Sequence, residues 1–251
     1  MTQQTVALPL SVLARAPRPE LSARYKYIST MDIVRAVEEE GYKIHSARAV
    51  GANRSVEPLY TRHIVEMRAP SEHDGLSARV SIINSHDGSS RTRVSVGLYR
   101  LVCSNGMVAA VSGSETAARH SGPNAAAAII DRARSLARNT APLFRKMEEW
   151  SRIDLSRSER FAYARMVAQL RWGDAERFAP EALLEVRREG DDAGDLWSTF
   201  NRLQEATVRG GVVGLSRSGR RSTSRPISDF VRDDEYNAAL WRLTEELAEV
   251  L

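Results

Sequence analysis

Polar and apolar residues alternate with a period of two in the middle of the chain. The alternation runs through residues 79–83, is interrupted at Asp87-Gly88, and resumes over residues 94–98. An Asp-Gly pair between two alternating segments is a strong signal for a β-hairpin. A second polar turn follows at Ser104-Asn105-Gly106. We therefore predict an antiparallel β-meander at the centre of the protein.

The segment before the meander contains patterns typical of one helix and two further strands. The helix is capped by Ser29 or Thr30 and ends at Gly41. Strands are predicted over residues 42–50 and 59–68, with loops over residues 51–57 and 70–75. Together with the meander they give an antiparallel sheet of four or five strands.

Helical periodicity replaces alternation after Ser121-Gly122-Pro123, which is a start signal because proline fits the first turn of a helix. Small apolar residues over 126–140 predict a helix that lies across the meander. Further helices are predicted over 163–170, 180–188 and 196–207, and a last one after an Asp233 or Asp234 cap. Residues 209–226 are rich in arginine, glycine and serine and predict a loop.

These elements indicate an α+β fold, in which a β-meander with a packed helix is followed by a mainly helical C-terminal half. We predict an irregular N-terminal arm over residues 1–28 and an α+β domain over residues 29–150. A helical region over residues 151–251, which includes the loop at 209–226, is expected to pack on that domain.

Composition narrows the class of protein. No apolar run approaches the roughly 18 residues needed to cross a bilayer. The single cysteine, Cys103, cannot form an internal disulfide, and this suits a cytoplasmic protein without a membrane partner. Cys103 lies in an apolar run and is interpreted as a small core residue.

The basic residues are almost all arginine, since lysine occupies only positions 26, 43 and 146 and 33 of the 36 basic residues are arginine. A guanidinium group binds phosphate in a bidentate manner, which favours contact with a nucleic-acid backbone. A GC-rich genome explains the same bias without any function. The candidate nucleic-acid-binding residues lie in the meander and in the 209–226 loop: Arg91, Arg93, Arg119, Arg217, Arg220, Arg221 and Arg225.

A second arginine row, Arg134, Arg138 and Arg145, follows one side of the predicted long helix. It could line a phosphate path, but a solvated face is the preferred interpretation. Among the aromatic residues, Trp197, Phe200 and Trp241 are assigned to the core, and Tyr99 is left as a candidate for base stacking.

Five polar residues recur at the turns of the meander: Asn84, His86, Asp87, Asn105 and His120. Histidine and carboxylate could hold a metal ion for nuclease chemistry. The preferred interpretation is structural, because Asp87-Gly88 is explained by turn chemistry and His120 can either cap the helix that follows or accept a backbone hydrogen bond. We predict no catalytic residue, no metal site and no cofactor.

Several phrases resemble a phage- and plasmid-borne family, domain of unknown function 932. In the meander they are Ile83-Asn84-Ser85-His86-Asp87-Gly88-Ser89, Tyr99-Arg100-Leu101-Val102-Cys103-Ser104-Asn105-Gly106 and Arg119-His120-Ser121-Gly122. In the helical half they are the stretch from Leu196 to Glu205, Arg209-Gly210-Gly211, Gly219-Arg220-Arg221, Thr223-Ser224-Arg225, and Asn237 with Leu240-Trp241. The resemblance implies a mobile-element protein that handles DNA. The order of helix, sheet and packed helix is also similar to single-strand annealing proteins of the Rad-fifty-two type, at the level of fold only.

Three hypotheses follow. The preferred one is a protein of a mobile element that binds nucleic acid, most readily single-stranded DNA, as a homo-oligomer, with a possible role in strand annealing or recombination. The first alternative is a metal-dependent nuclease that uses His86, Asp87 and His120. The second is a host-protein-binding anti-defence factor that makes contact through the arginine-rich loop.

Overall fold

The structure is a computed structural model that describes residues 6–51, 57–73, 75–100, 106–108, 115–188, 190–215 and 220–251. The chain divides into two compact units, residues 1–140 and residues 141–251. The first unit contains the sheet and the second is mostly helical, so the predicted α+β class is confirmed. None of the described helices is long and apolar enough to span a membrane.

Within the described residues, the elements of the first unit are α1 (Leu10–Leu13), α2 (Thr30–Glu38), β1 (Lys43–Ala49), β2 (His63–His73), β3 (Leu76–Asn84), β4 (Thr92–Arg100), β5 (Gly106–Val108), β6 (Glu115–Ala118) and α3 (Ala125–Arg138). Those of the second unit are α4 (Ala141–Trp150), α5 (Arg157–Trp172), α6 (Pro180–Leu183), α7 (Leu196–Arg209), β7 (Val213–Leu215), β8 (Arg221–Thr223) and α8 (Phe230–Ala248).

The strands of the first unit form one antiparallel sheet in the order β1-β2-β3-β4, and both β5 and β6 pair with the free edge of β4. The predicted meander and its hairpin at Asp87-Gly88 are present, and Gly88 has the positive φ of +80° that its turn requires. The loop predicted over residues 70–75 is wrong in part. Glu72 and His73 pair with β3 beyond a register shift, so β2 continues past Pro70.

Side chains of directly paired residues lie on the same face of a sheet, so the register sorts the strands into two faces. One face contains the row Val65, Ile82 and Val94, all buried. Helix α2 packs on β3, and α3 packs on α2, β4 and β6. We call this the helix face. The opposite face contains Glu66, Arg79 and Arg93, and we call it the arginine face.

An aromatic cluster fills the core of the second unit. Trp150 lies 4.5 Å from Trp241 and 5.6 Å from Phe200 between ring centroids, and Trp197 stacks on Phe200. The core interpretation of Trp197, Phe200 and Trp241 is therefore confirmed. These rings anchor α7, in which every residue from Leu196 to Thr207 is buried.

Three sequence predictions for the helical half need correction. Helix α8 is capped by Asp229, whose carboxylate accepts from the amides of Val231 and Arg232, so it begins earlier than an Asp233 or Asp234 cap implies. The helix predicted over 180–188 is only one turn long. The segment 209–226, predicted as a loop, includes the short strands β7 and β8.

Candidate nucleic-acid interface and a buried histidine cluster

The arginines predicted in the meander come together on the arginine face, at the edge where β4 meets β6. Arg93 pairs with Ala117 of β6, and Arg119 follows two residues after Ala117. Arg91 precedes Arg93 by two residues. Arg91 and Arg119 lie one residue outside β4 and β6, and the alternation of these strands, continued by one residue, places both on the side of Arg93. We call Arg91, Arg93 and Arg119 the rim arginines.

The rim arginines are open to solvent to different degrees. Arg91 and Arg119 are exposed, and Arg93 is half-buried. Neither Arg91 nor Arg119 forms an ion pair with a carboxylate of the described part of the chain. Their charges are therefore available to a polyanion rather than neutralised internally.

Towards the other edge of the sheet, arginines are bound by a carboxylate. Glu66 of β2 accepts from Arg79 of β3 and from the hydroxyl of Ser46 of β1, and Arg48 lies 3.9 Å away. Burial acts to raise the pKa of Glu66, but Arg79, Ser46 and Arg48 outweigh it and keep that pKa below its usual value. Glu66 is thus an ionised anchor for this part of the face.

Tyr99, predicted as a candidate for base stacking, lies beneath an arginine. The guanidinium carbon of Arg68 is 3.1 Å from the centre of the Tyr99 ring, and the His45 ring meets the same tyrosine edge-on at 5.3 Å. Tyr99 is only 7% exposed. Its ring face is therefore occupied by a cation–π contact within the protein.

The middle strand of the arginine face, β3, contains buried polar side chains. Ser77, Arg79 and Ser81 alternate along β3 and are 2%, 3% and 1% exposed. The two serine hydroxyls and two guanidinium nitrogens of Arg79 (Nε and Nη1) have no hydrogen-bond partner within the described ranges. Because these donors are buried, an external ligand meets the rim arginines first.

The remaining predicted arginines belong to the second unit. Arg221 lies in β8, Arg220 precedes it and Arg225 follows it, and all three are exposed. Arg217 and Asn105 lie outside the described residues, as does Cys103. The segment 209–226, predicted as a loop, contains the β7–β8 hairpin. The predicted set therefore divides into a rim group and a hairpin group, one in each compact unit.

The predicted row of Arg134, Arg138 and Arg145 does not follow one helix: Arg134 and Arg138 lie on α3 and pair with glutamates, whereas Arg145 lies on α4 of the second unit. Arg134 donates to Glu39 at 2.7 Å and lies 3.7 Å from Glu40, and Arg138 donates to Glu40 at 2.7 Å. These pairs connect α3 to residues just after α2. The preference for a surface role over a phosphate path agrees with this arrangement.

A cluster of three histidines lies on the helix face near the end of the sheet. His63 donates from Nδ1 to the carbonyl of Thr61, so its Nε2 accepts from the Thr30 hydroxyl at 2.8 Å. His86 lies 5.3 Å from His63 between ring centroids and approaches the same hydroxyl at 3.5 Å. The Thr30 oxygen also accepts from the Asn84 amide at 3.0 Å.

His120 extends this cluster to the N-terminal segment. Its Nδ1 donates to the Lys26 carbonyl at 3.0 Å, its own carbonyl accepts from the Lys26 amide at 2.8 Å, and Tyr25 stacks on its ring at 4.5 Å. Asn84 donates to the carbonyl of Ile28 at 3.0 Å. We call His63, His86 and His120, with Thr30, Asn84 and Thr92, the histidine cluster. Hydrogen bonds of this cluster hold residues 25–30 against the sheet.

Thr92 joins the two halves of the histidine cluster. Its oxygen lies 2.8 Å from the side-chain oxygen of Asn84 and 3.2 Å from Nε2 of His120. The Ser85 amide donates to the same Asn84 oxygen, which fixes the orientation of the Asn84 side chain. A run of hydrogen bonds therefore continues from His63 through Thr30 and Asn84 to Thr92, whose hydroxyl donates to Asn84 and lies in contact with Nε2 of His120.

The histidines of the cluster are poor bases because they are buried. Burial lowers the pKa of His63 to about 4, and burial with the nearby His63 and His120 lowers the pKa of His86 to about 3. Burial also lowers the pKa of His120, although its bond to Lys26 opposes the change. All three are therefore neutral at physiological pH.

The carboxylate named in the nuclease hypothesis, that of Asp87, takes part in a local turn. The Asp87 carboxylate accepts a hydrogen bond from the Ser89 amide at 2.9 Å, which is the local bond expected of an Asp-Gly turn. Across the residues that the structure describes, no group of three or more His, Cys, Asp or Glu side chains is placed to hold a metal ion. Asn84, His86 and His120 instead contribute to the histidine cluster.

Sequence reasoning missed His63, Thr30 and the anchor Glu66. The alternation of residues along β2 contained a signal for His63 and Glu66. His63 lies two residues before the buried Val65 and is therefore predicted on the core face, whereas Glu66 alternates with Val65 and Met67 on the other face. The sequence indicated Thr30 only as a candidate helix cap, a position that Ser29 occupies, and gave no sign of its partners His63 and Asn84, which are 33 and 54 residues away.

A family model described as "Domain of unknown function (DUF932)" matches residues 20–241, which is most of the chain. The chain belongs to this family. It is similar to two proteins of Escherichia coli (strain K12), "UPF0380 protein YafZ" and "UPF0380 protein YfjQ". The identities are 28% and 27% over 243 residues, and each comparison covers 94% of this chain and 87% of the relative. No solved structure matches the chain. The likeness to Rad-fifty-two-type proteins therefore stays a prediction.

The DUF932 match includes both the histidine cluster and the rim arginines. The family resemblance predicted from the motifs around Asn84, His120 and Trp197 is thereby confirmed. The description of the family assigns no activity.

Proposed function

We propose that this DUF932 protein binds nucleic acid, with single-stranded DNA as the preferred ligand, through the rim arginines of the sheet. One observation supports the proposal above all. Arg91 and Arg119 lie one residue beyond the paired ends of β4 and β6, are exposed and form no ion pair within the described ranges. Two such uncompensated guanidinium groups suit phosphates of one nucleic-acid strand.

The mode of binding follows from the chemistry of these groups. Arginines at a strand edge reach phosphates, whereas Tyr99, the aromatic side chain of this face, already faces Arg68. Binding should therefore depend on the backbone, show weak sequence preference and fall steeply with salt. Base stacking should contribute little.

A salt series on labelled oligothymidylate tests the proposal. The variant Arg91→Ala/Arg119→Ala removes two rim charges, and Arg35→Ala/Arg152→Ala removes two exposed charges elsewhere as a matched control. Each lost phosphate contact on a single strand should reduce the slope of log affinity against log salt by about 0.7. We expect the rim variant to lose about 1.4 in slope and the control to match the wild type.

Competition with duplex DNA and single-stranded RNA then ranks the ligands. A wild-type protein whose affinity does not change with salt would contradict the proposal. So would a rim variant that behaves like the control. Stronger competition by duplex would retain backbone binding and remove the preference for single strands.

A further inference from the structure

One side of the β7–β8 hairpin packs against Phe178 of the second unit. Gly214 of β7 packs so closely that a Cβ there would come within 2.4 Å of the Phe178 ring. Its partner across the hairpin is Ser222. The other side contains Arg221, Thr223 and Arg225, all exposed. The contact with Phe178 thus directs the arginines of β8 away from the core.

The base of the hairpin is a close crossing of two backbone segments. Gly211 donates to the carbonyl of Ser224 at 2.9 Å, and Ser224 donates to the carbonyl of Val212 at 2.8 Å. Gly210 has φ +71°, and a Cβ there would lie 2.6 Å from the Ser224 carbonyl oxygen. Only glycine fits this position, so the hairpin leaves α7 at a fixed place.

Two arginines that the sequence did not single out bind this crossing. Arg171 of α5 donates to the carbonyls of Thr207 and Arg225 at 3.1 and 3.3 Å, and Arg187 donates to the carbonyl of Gly210 at 2.9 Å. The Thr207 carbonyl is in the last turn of α7, where carbonyl groups have no N–H partner within the helix. These bonds hold the guanidinium groups in place, yet each group has five N–H donors and retains several.

The charge at this crossing is uncompensated. Arg171, Arg187, Arg221 and Arg225 form no ion pair with the acidic side chains that the structure describes. Glu176, an acidic residue near the end of α5, pairs with Arg165 instead. Four arginines thus lie on and beside one hairpin, two of them fixed by backbone carbonyls, which lowers the entropy lost when they bind a further acceptor.

We propose that this hairpin surface, defined by Arg171, Arg187, Arg221 and Arg225, is a second phosphate-binding site for single-stranded nucleic acid, separate from the rim arginines. The inference rests on the proposed function and adds a second contact in the other compact unit. Arg221 and Arg225 contact the ligand, and Arg171 and Arg187 position the hairpin and supply additional donors. Each surface neutralises its own phosphates, so their contributions to the salt dependence add.

The test uses the full chain and labelled oligothymidylate across a salt series. Arg221→Ala/Arg225→Ala removes two exposed side chains that make no described side-chain contact, and Arg35→Ala/Arg152→Ala serves again as the control. We expect the hairpin variant to lose about 1.4 in salt slope with an unchanged melting temperature. Combined with Arg91→Ala/Arg119→Ala, the loss should be the sum of the two.

Arg171→Gln separates positioning from contact. It should lower both affinity and melting temperature, because it also removes bonds to the Thr207 and Arg225 carbonyls. If the rim variant loses slope while the hairpin variant matches the control, the second site is wrong and the proposed function stands. If the wild type shows no salt-dependent binding, both are wrong. A loss in the hairpin variant alone supports this site and removes the rim from the proposal.

Discussion

The two faces of the sheet hold polar groups in opposite ways. On the helix face, the polar side chains are neutral, buried and joined to one another and to the backbone of residues 25–30. On the arginine face, Arg79 is bound to the ionised Glu66, and Arg91 and Arg119 are open to solvent at the rim. The same strands supply both sets. One face therefore stabilises the unit, and the other is suited to bind an anion.

The helix face should be the more sensitive to substitution. Asn84→Ala removes bonds to the Ile28 carbonyl, the Thr30 and Thr92 hydroxyls and the Ser85 amide, and it takes this partner from the buried Ile28 carbonyl and Ser85 amide. We expect a loss of about 3 kcal/mol in the free energy of unfolding, measured by urea denaturation.

Asn124→Ala is the matched control for this change. Asn124 is exposed and makes no capping bond to α3, so its replacement should cost less than about 0.5 kcal/mol. Equal effects of the two substitutions would mean that the histidine cluster contributes no stability.

On the arginine face, Glu66→Gln should destabilise by about 2 kcal/mol, because it leaves the charge of Arg79 buried without a counter-ion. Glu115→Gln, an exposed glutamate on the same face, is the control and should change the urea midpoint little. A neutral outcome for Glu66→Gln would show that the arginine face does not depend on its carboxylate.

Acid should weaken the helix face through its histidines. The pKa values of His63 and His86 are lowered on folding to about 4 and about 3, so the unfolded chain binds protons first as the pH falls below about 6.5. The contribution of these histidines to the free energy of unfolding is fully present above that pH. It declines towards pH 4 by at most about 1.4 kcal/mol per pH unit for each histidine.

Urea midpoints across this pH range measure the effect. His63→Gln should flatten the decline, whereas His45→Gln, on the arginine face, should leave most of it. A wild-type midpoint that stays constant from neutral pH to pH 4 would contradict the assignment of neutral, buried histidines.

The smallest effect is expected at the rim. Arg91→Ala/Arg119→Ala should change the free energy of unfolding by less than about 0.5 kcal/mol, because these side chains are exposed and form no described ion pair. Oligonucleotide affinity should also stay constant between pH 6.5 and pH 9, since arginine does not titrate there. A marked loss of stability would assign the rim arginines to the fold rather than to a ligand.

The sequence predicted the local parts of this arrangement. Alternation and the Asp-Gly turn identified the β3–β4 hairpin, and the buried Ile82 and Val94 predict that Asn84 and Thr92 lie on the same core face. Local patterns could not predict the pairs formed by residues far apart in sequence. Arg134 pairs with Glu39, 95 residues away, and Arg138 pairs with Glu40, 98 residues away. No periodicity indicates these partners.

The candidate interface was predicted residue by residue but not as a surface. The register between β4 and β6 brings Arg93 and Arg119 to one face, and this register depends on a pairing that the sequence does not specify. The hairpin within residues 209–226 was predicted as a loop, because its glycines resemble turn residues. Gly210 and Gly214 are instead required by close contacts with Ser224 and Phe178.

His120 and Asn84 hold the N-terminal segment by the carbonyls of Lys26 and Ile28, which every amino acid possesses. Evolution is therefore free to exchange the exposed side chain of Lys26 among relatives, as long as the chain follows the same path. The two residues that grip it have no such freedom. Divergent homologues should therefore keep the asparagine and the histidine, whereas the residues at the positions of Lys26 and Ile28 should vary.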